Sequence, residues 1–303
     1  MRVFLTGASG HIASALIPEL NGAGHSVVGL VRSDQGAVKV ESLGAEVLRG
    51  DLSDLDGLAA AAAKADGVVH LAFDHQRQSG GDLEGAVSAD LAAVQVMGAA
   101  LAGSGKPFVG TNATGGIALA GFRGVLTEDT SLAGGLRIDA ENVVLALAEQ
   151  DVRASVVRLP PAVHGNGRYG FVSGLIETAR AAGSAGYLGD GGNRWGATAL
   201  EDASRAYRLA LESATAGSRI HAVAEAGIAL RDIAETIGHR LGVPTAAVTA
   251  EEAATRFGFL APFVSMDNPV SSRSTRETLG WAPSRPGLIA ALENDPLLTP
   301  SPR

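Results

Sequence analysis

Residues 2–13, Arg2-Val3-Phe4-Leu5-Thr6-Gly7-Ala8-Ser9-Gly10-His11-Ile12-Ala13, decide the fold. A strand-length apolar run ends at Thr6, and glycines follow at 7 and 10 before a helix-length segment. Glycine carries no Cβ, so the backbone there can turn tightly and approach a ligand. The helix that follows offers free N–H donors and the positive end of its dipole to an anion. Strand, glycine loop and helix in that order suit a dinucleotide pyrophosphate, with Gly7, Ser9, Gly10, His11 and Ile12 forming the cradle. Ala13 is small enough for close packing of the helix on the strand, and His11 reads as a positioning residue.

Outward from this loop, short apolar runs alternate with helix-length segments. The runs at 3–5, 26–31, 45–48, 67–71, 108–110 and 155–159 read as strands, and 11–22, 54–64, 83–103 and 136–150 as helices. Strands without polar alternation are those buried on both faces of a parallel sheet. Repeated βα units therefore predict an α/β fold, a Rossmann-type doubly wound parallel sheet. Pro18 falls inside the first helix and removes one backbone donor. The second half is less regular: a glycine-rich stretch at 183–196, a helix at 201–213, a strand at 219–224, a helix at 228–241 and a loose tail from Pro296. The reading is a dinucleotide-binding domain over 1–160, completed by 197–224. A small C-terminal substrate lobe comprises 161–196 and 225–303.

The second strand ends Val31-Arg32-Ser33. An NAD-selective site places a carboxylate there for the ribose 2′-hydroxyl. Arg32 and Ser33 suit a 2′-phosphate instead, so the expected cofactor is NADP(H). Asp51-Leu52, after the third strand, lies where adenine would be lined, although an Asp there also suits a helix cap.

Composition narrows the class. The 303 residues are 46% hydrophobic and 18% charged, with 40 glycines, and no cysteine is present, which excludes disulfides, thiol nucleophiles and thiolate metal sites. The net charge of −8 argues against a nucleic-acid groove. No apolar run reaches the roughly 18 residues of a membrane span, and no secretory leader is recognisable at the start. A cytoplasmic protein with a small-molecule substrate, no metal, no membrane contact and no nucleic-acid partner is expected.

Together these residues resemble the extended short-chain dehydrogenase/reductase superfamily of NAD(P)-dependent epimerases, dehydratases and reductases. The likeness runs through 6–13, Gly50-Asp51-Leu52, Val69-His70-Leu71-Ala72, 158–165 and Leu279-Gly280-Trp281-Ala282-Pro283. It implies that Asp51 contacts adenine, that Ala72 lines the cofactor and that Pro160–His164 lies near the nicotinamide. It also implies a homodimer built from two helices per subunit, here 83–103 and 136–150. The superfamily's chemistry uses a Ser or Thr after the fifth strand and a later Tyr-x-x-x-Lys. No Tyr-x-x-x-Lys occurs in this sequence, since the tyrosines are 169, 187 and 207. Glu141 matches the acidic residue that follows the lysine by four, which puts Arg137 at the lysine position and Ala133 at the tyrosine position. Thr111 or Asn112 takes the serine position.

The candidate catalytic set is therefore Thr111, Asn112, Arg137, His164 and Tyr169. Thr111 or Asn112 would hold a substrate oxygen, and His164 or Tyr169 would supply the proton that a carbonyl reduction needs. Asp74, His75, Thr114, Arg194 and Trp195 are candidate substrate contacts, with Trp195 stacking on a ring and Arg194 holding an anion. His25, His221 and His239 read as surface or strand-end residues. The leading function is an NADP(H)-dependent oxidoreductase of a small carbonyl or alcohol with a non-standard proton donor. Its rivals are an epimerase or dehydratase using the cofactor transiently, and a non-catalytic NADP(H)-binding sensor.

Overall fold

The computed structural model describes residues 1–135 and 137–300. In chain order the strands are β1 (Arg2–Thr6), β2 (Ser26–Val31), β3 (Glu46–Arg49), β4 (Gly67–His70), β5 (Pro107–Ala113), β6 (Arg153–Leu159), β7 (Ala162–His164), β8 (Ala185–Leu188), β9 (Arg194–Ala199), β10 (Ser218–His221), β11 (Glu225–Ala229) and β12 (Thr245–Val248). The helices are α1 (Ala13–Gly22), α2 (Asp34–Ser42), α3 (Leu55–Lys64), α4 (His75–Ser79), α5 (Leu83–Leu101), α6 (Thr114–Leu119), α7 (Ile138–Ala146), α8 (Phe171–Ala182), α9 (Leu200–Ser213), α10 (Leu230–Leu241), α11 (Ala250–Phe257), α12 (Ala261–Val264), α13 (Arg273–Leu279) and α14 (Leu288–Glu293).

Seven strands form one sheet in the order β10-β6-β5-β4-β1-β2-β3, and every pairing in it is parallel. Leu16, Ile17 and Leu20 of α1, Val40 of α2 and Ala203, Ala206 and Tyr207 of α9 pack on one face. Leu58 of α3, Val94 and Met97 of α5 and Val144 of α7 pack on the other. Strands with helices on both faces have to be apolar throughout, which is why the buried runs lack alternation. The strand order reverses between β1 and β4, and in open α/β sheets ligands bind at such a switch point, outside the carboxyl ends of the strands.

The lobe carries its own core, in which Val172, Leu175 and Ile176 of α8, Ile233 and Ile237 of α10, Trp195 and Leu288 meet. Its strands form two small sheets, β11-β9-β7 and β12-β8. β10 completes the seven-stranded sheet and α9 packs against it, whereas β9 pairs with β7 and β11.

The structure departs from the sequence reading at several points. Helix α2 was not foreseen; it starts at Ser33, whose hydroxyl accepts from the Gly36 N–H at 3.1 Å. The tail is packed as far as it is described: Leu298 is buried in the lobe core, and the Asp295 carboxylate accepts from Tyr169. His221 ends β10, which agrees with the strand-end reading, but it is fully buried, with Arg158 and the Ser271 carbonyl on its two ring nitrogens, and burial pushes its imidazole down to about 4. The helix expected from 136 begins at Ile138, and Leu136 lies outside the described residues.

Candidate active site

The phosphate loop fits a dinucleotide by its backbone. Gly7 has a φ of +67°, and a Cβ built on it would meet the Ala72 nitrogen at 2.8 Å. Gly10 donates its N–H to the Gly7 carbonyl at 2.9 Å, which closes the turn before Ile12 and Ala13 start the helix. Side chains at either position would fill the cradle, so the loop leaves only N–H groups to face a phosphate. At its outer end Ser9 lies against Gly36, beside the Ser33 hydroxyl. That hydroxyl accepts its cap bond and still has a proton to donate. Arg32 is exposed at the end of β2. Asp51 is also exposed; hydrogen bonds from the Ser53 hydroxyl and N–H, with Arg32 adding to them, hold its carboxyl below the usual range. Leu52 is half-buried against the core under the sheet, and Pro160 is buried where β6 ends.

A buried polar chain ties this loop to the strand ends. Thr6 Oγ1 accepts from the Ala72 N–H and pairs with His70 Nδ1 at 2.7 Å. His70 Nε2 meets Asp90 Oδ1 at 3.0 Å, and Arg137 Nε donates to Asp90 Oδ2 at 3.3 Å. Arg137 Nη2 then donates to the Thr111 carbonyl at 3.0 Å. Burial alone would raise the Asp90 carboxyl, but the Arg137 charge and bonds from His70 and Arg137 hold it below the usual range. The Arg137 guanidinium lies 4.4 Å from the centroid of the Phe73 ring, and His75 meets the same ring edge-on at 5.2 Å. Arg137 and His75 therefore flank one aromatic side chain at the carboxyl end of β4. His75 is exposed, with Nδ1 3.0 Å from Gln78 Oε1. Asp74 caps α4 by accepting from the Gln76 and Arg77 N–H groups.

Of the catalytic set, Thr111, Asn112, His164 and Tyr169 are buried or bonded to other groups, whereas Arg137 lies half-buried among these strand ends. The Thr111 hydroxyl donates to the His70 carbonyl at 2.7 Å and contacts Tyr207. The Asn112 amide is 2% exposed and donates to Glu141 at 2.7 Å, under the sheet. The Tyr169 hydroxyl donates to Asp295, and burial and that carboxylate push it upward, opposite to what a proton donor near neutrality needs. His164 is buried and lines a cavity with Ala199, Glu225, Arg276, Pro283 and Arg285, and burial lowers its imidazole.

Three expected substrate contacts are engaged elsewhere in the protein. Trp195 is fully buried in the lobe core and donates to the Phe263 carbonyl. Arg194 is paired with Asp267 at 2.8 Å. Thr114 donates to Asn268 Oδ1. Sequence reasoning missed Thr6, His70 and Asp90 as a unit. The available signal was one carboxylate, Asp90, on the buried stripe Ala86, Asp90, Ala93, Met97 of α5.

The sequence profile of the NAD(P)H-binding family matches residues 7–158. The chain belongs to that family. Among similar proteins, uncharacterized protein YLL056C of Saccharomyces cerevisiae is 43% identical over 294 residues, covering 95% of this chain and 97% of that one. Uncharacterized protein C2A9.02 of Schizosaccharomyces pombe is 42% identical over 295 residues, covering 97% and 99%. Among solved structures, UDP-glucuronic acid 4-epimerase from Bacillus cereus, in complex with UDP-glucuronic acid and NAD, superposes with a TM-score of 0.74 at 18% identity and 97% coverage of both chains. That likeness concerns the fold. Among the described residues no group of His, Asp and Glu is arranged to hold a metal ion, and no helix is long and apolar enough to cross a membrane.

Proposed function

We propose that this protein is an NADP(H)-dependent oxidoreductase of a small carbonyl or alcohol, with Arg137 as the group that stabilises the reacting oxygen. The observation that carries this reading is the placement of Arg137, fixed by Asp90 and the Thr111 carbonyl beside Phe73, at the strand ends that flank the phosphate loop. Bound NADP(H) supplies or accepts hydride at C4 of its nicotinamide. Carbonyl reduction develops negative charge on the substrate oxygen. A guanidinium stays charged and has five N–H donors, of which Asp90 and Thr111 draw on two, so donors remain for that oxygen. It does not release a proton readily. His75, in contact with the same Phe73 ring as Arg137, is the proposed proton relay, because one imidazole nitrogen can accept a proton while the other donates one.

NADPH consumption over a panel of small aldehydes and ketones tests the reading, with turnover of at least one class expected. Binding of NADPH without any turnover would favour the sensor instead. Oxidised cofactor retained tightly through purification would favour an epimerase or dehydratase.

Cofactor choice rests on Arg32, with Ser33 and Ser9 beside it and a valine where an NAD enzyme carries an acid. Arg32→Ala is expected to weaken NADPH binding by about ten-fold, about 1.4 kcal/mol, and to leave NADH binding nearly unchanged. Fluorescence titration of both cofactors checks this, and an equal loss for NADH would remove Arg32 from the 2′-phosphate site.

A further inference from the structure

Cations gather at the phosphate loop although the chain is acidic, with a net charge of −8. Lys39, on α2, donates its ammonium to the Ser9 carbonyl at 2.8 Å and lies 3.5 Å from the Gly10 carbonyl. Arg168 arrives from the lobe. It follows Asn166 and Gly167, whose φ values of 50° and 71° are those of a type I′ turn. The turn is closed by Gly165 N–H to Arg168 O at 2.8 Å and Arg168 N–H to Gly165 O at 3.0 Å. Asparagine tolerates the left-handed conformation and glycine accepts it freely, so this sequence holds Arg168 at a defined place.

The turn continues β7, and the Val163 backbone of that strand lies close enough to the His11 ring to favour its protonated form. Arg168 is exposed, and no hydrogen bond or ion pair among the described residues engages its guanidinium. Burial depresses both the Lys39 ammonium and the His11 imidazole, and the nearby Arg168 charge adds to each effect. The acids close by are committed or minor: Asp34 pairs with Arg49, Asp51 accepts from Ser53, and Glu201 acts only weakly on His11. Like charges that converge in this way suit an anion.

We propose that Arg168 is a phosphate ligand of the bound dinucleotide, reaching from the lobe to complete a cage with Ser9 and Lys39. The proposal rests on the cofactor reading above and extends it, because a lobe residue would couple cofactor binding to the position of the substrate lobe.

The test is calorimetric titration of the intact wild type, Arg168→Ala and Arg168→Lys with NADPH and NADH. Arg168 is exposed, and circular dichroism checks that the variants fold. Charge-assisted hydrogen bonds predict a loss of about ten- to a hundred-fold for Arg168→Ala, with part of it restored in Arg168→Lys. A loss confined to NADPH assigns Arg168 to the 2′-phosphate, and an equal loss for NADH assigns it to the pyrophosphate; both support the proposal. Unchanged affinity for both cofactors in Arg168→Ala overturns it and leaves the cofactor reading intact, provided the wild type binds. A wild type that binds neither cofactor overturns both.

Discussion

Glu141→Ala is expected to lower the melting temperature on the order of 10 °C, the largest stability effect of any single substitution considered. The Glu141 carboxylate is buried and accepts from Asn112, from Arg158 Nε and Nη2 and from Arg219 Nε, at 2.5 to 3.0 Å. Arg158 is 1% exposed. Removing the carboxylate leaves that guanidinium buried with only the Thr130 carbonyl and His221 as partners, and breaking such a pair costs about 3–5 kcal/mol. Glu141→Ala combined with Arg158→Met removes both charges and should recover much of the loss. A double variant as unstable as the single one would mean that the ion pair is not the cause.

The same group sets a pH dependence. Burial would raise the Glu141 carboxyl, but Arg158, with Asn112 and Arg219, holds it below the usual value. A depressed folded-state pKa contributes stability that is complete above the unfolded value of about 4.3 and is lost as the pH falls toward the folded value. The Glu141→Ala penalty should therefore shrink in acid below about pH 4.

Arg137→Ala is expected to lower kcat by about 10²–10³, the range for removing one preorganised donor to a developing oxyanion. NADPH affinity should persist, because the phosphate loop, Arg32 and Ser33 are untouched. Asp90, 1% exposed, would lose its cation and keep only His70, so some stability will be lost as well. Arg137→Lys separates the effects: it keeps a cation near Asp90 and discards the planar fork that bonds Thr111 and stacks on Phe73. Activity recovered in Arg137→Lys would show that charge suffices. Full activity in Arg137→Ala, measured as kcat and KM on a working substrate, would remove Arg137 from the mechanism.

The sheet was legible because parallel strands covered on both faces must be apolar, and 26–31 and 67–71 can hardly read otherwise. Helix α2 was missed because Asp34–Ser42 contains Gly36 and buries only Gly36, Ala37 and Val40, too short a stripe for helical periodicity to register. The strands of the lobe escaped because β7, β8 and β12 have three or four residues each and exist through pairing with distant segments.

The phosphate loop was legible because its chemistry is local, written in Gly7 and Gly10. The catalytic side chains were not, because spacing along the chain places a residue at a strand end but does not orient it. Asn112 is where expected and donates to Glu141 below the sheet; Thr111 is where expected and bonds the neighbouring strand. Tyr169 and Trp195 belong to a lobe core whose apolar residues are scattered over more than a hundred positions. Trp195 needs that core to bury its ring, and Tyr169 needs Asp295 to satisfy its hydroxyl.

Calorimetric titration of the unmodified protein with NADPH and with NADH, at one ionic strength, tests the central claim most directly. Arg32, Ser33 and the absence of an acid at Val31 predict that NADPH binds at least about ten-fold more tightly, a difference of about 1.4 kcal/mol. NADH binding equally well or better, or no binding of either, would contradict the account.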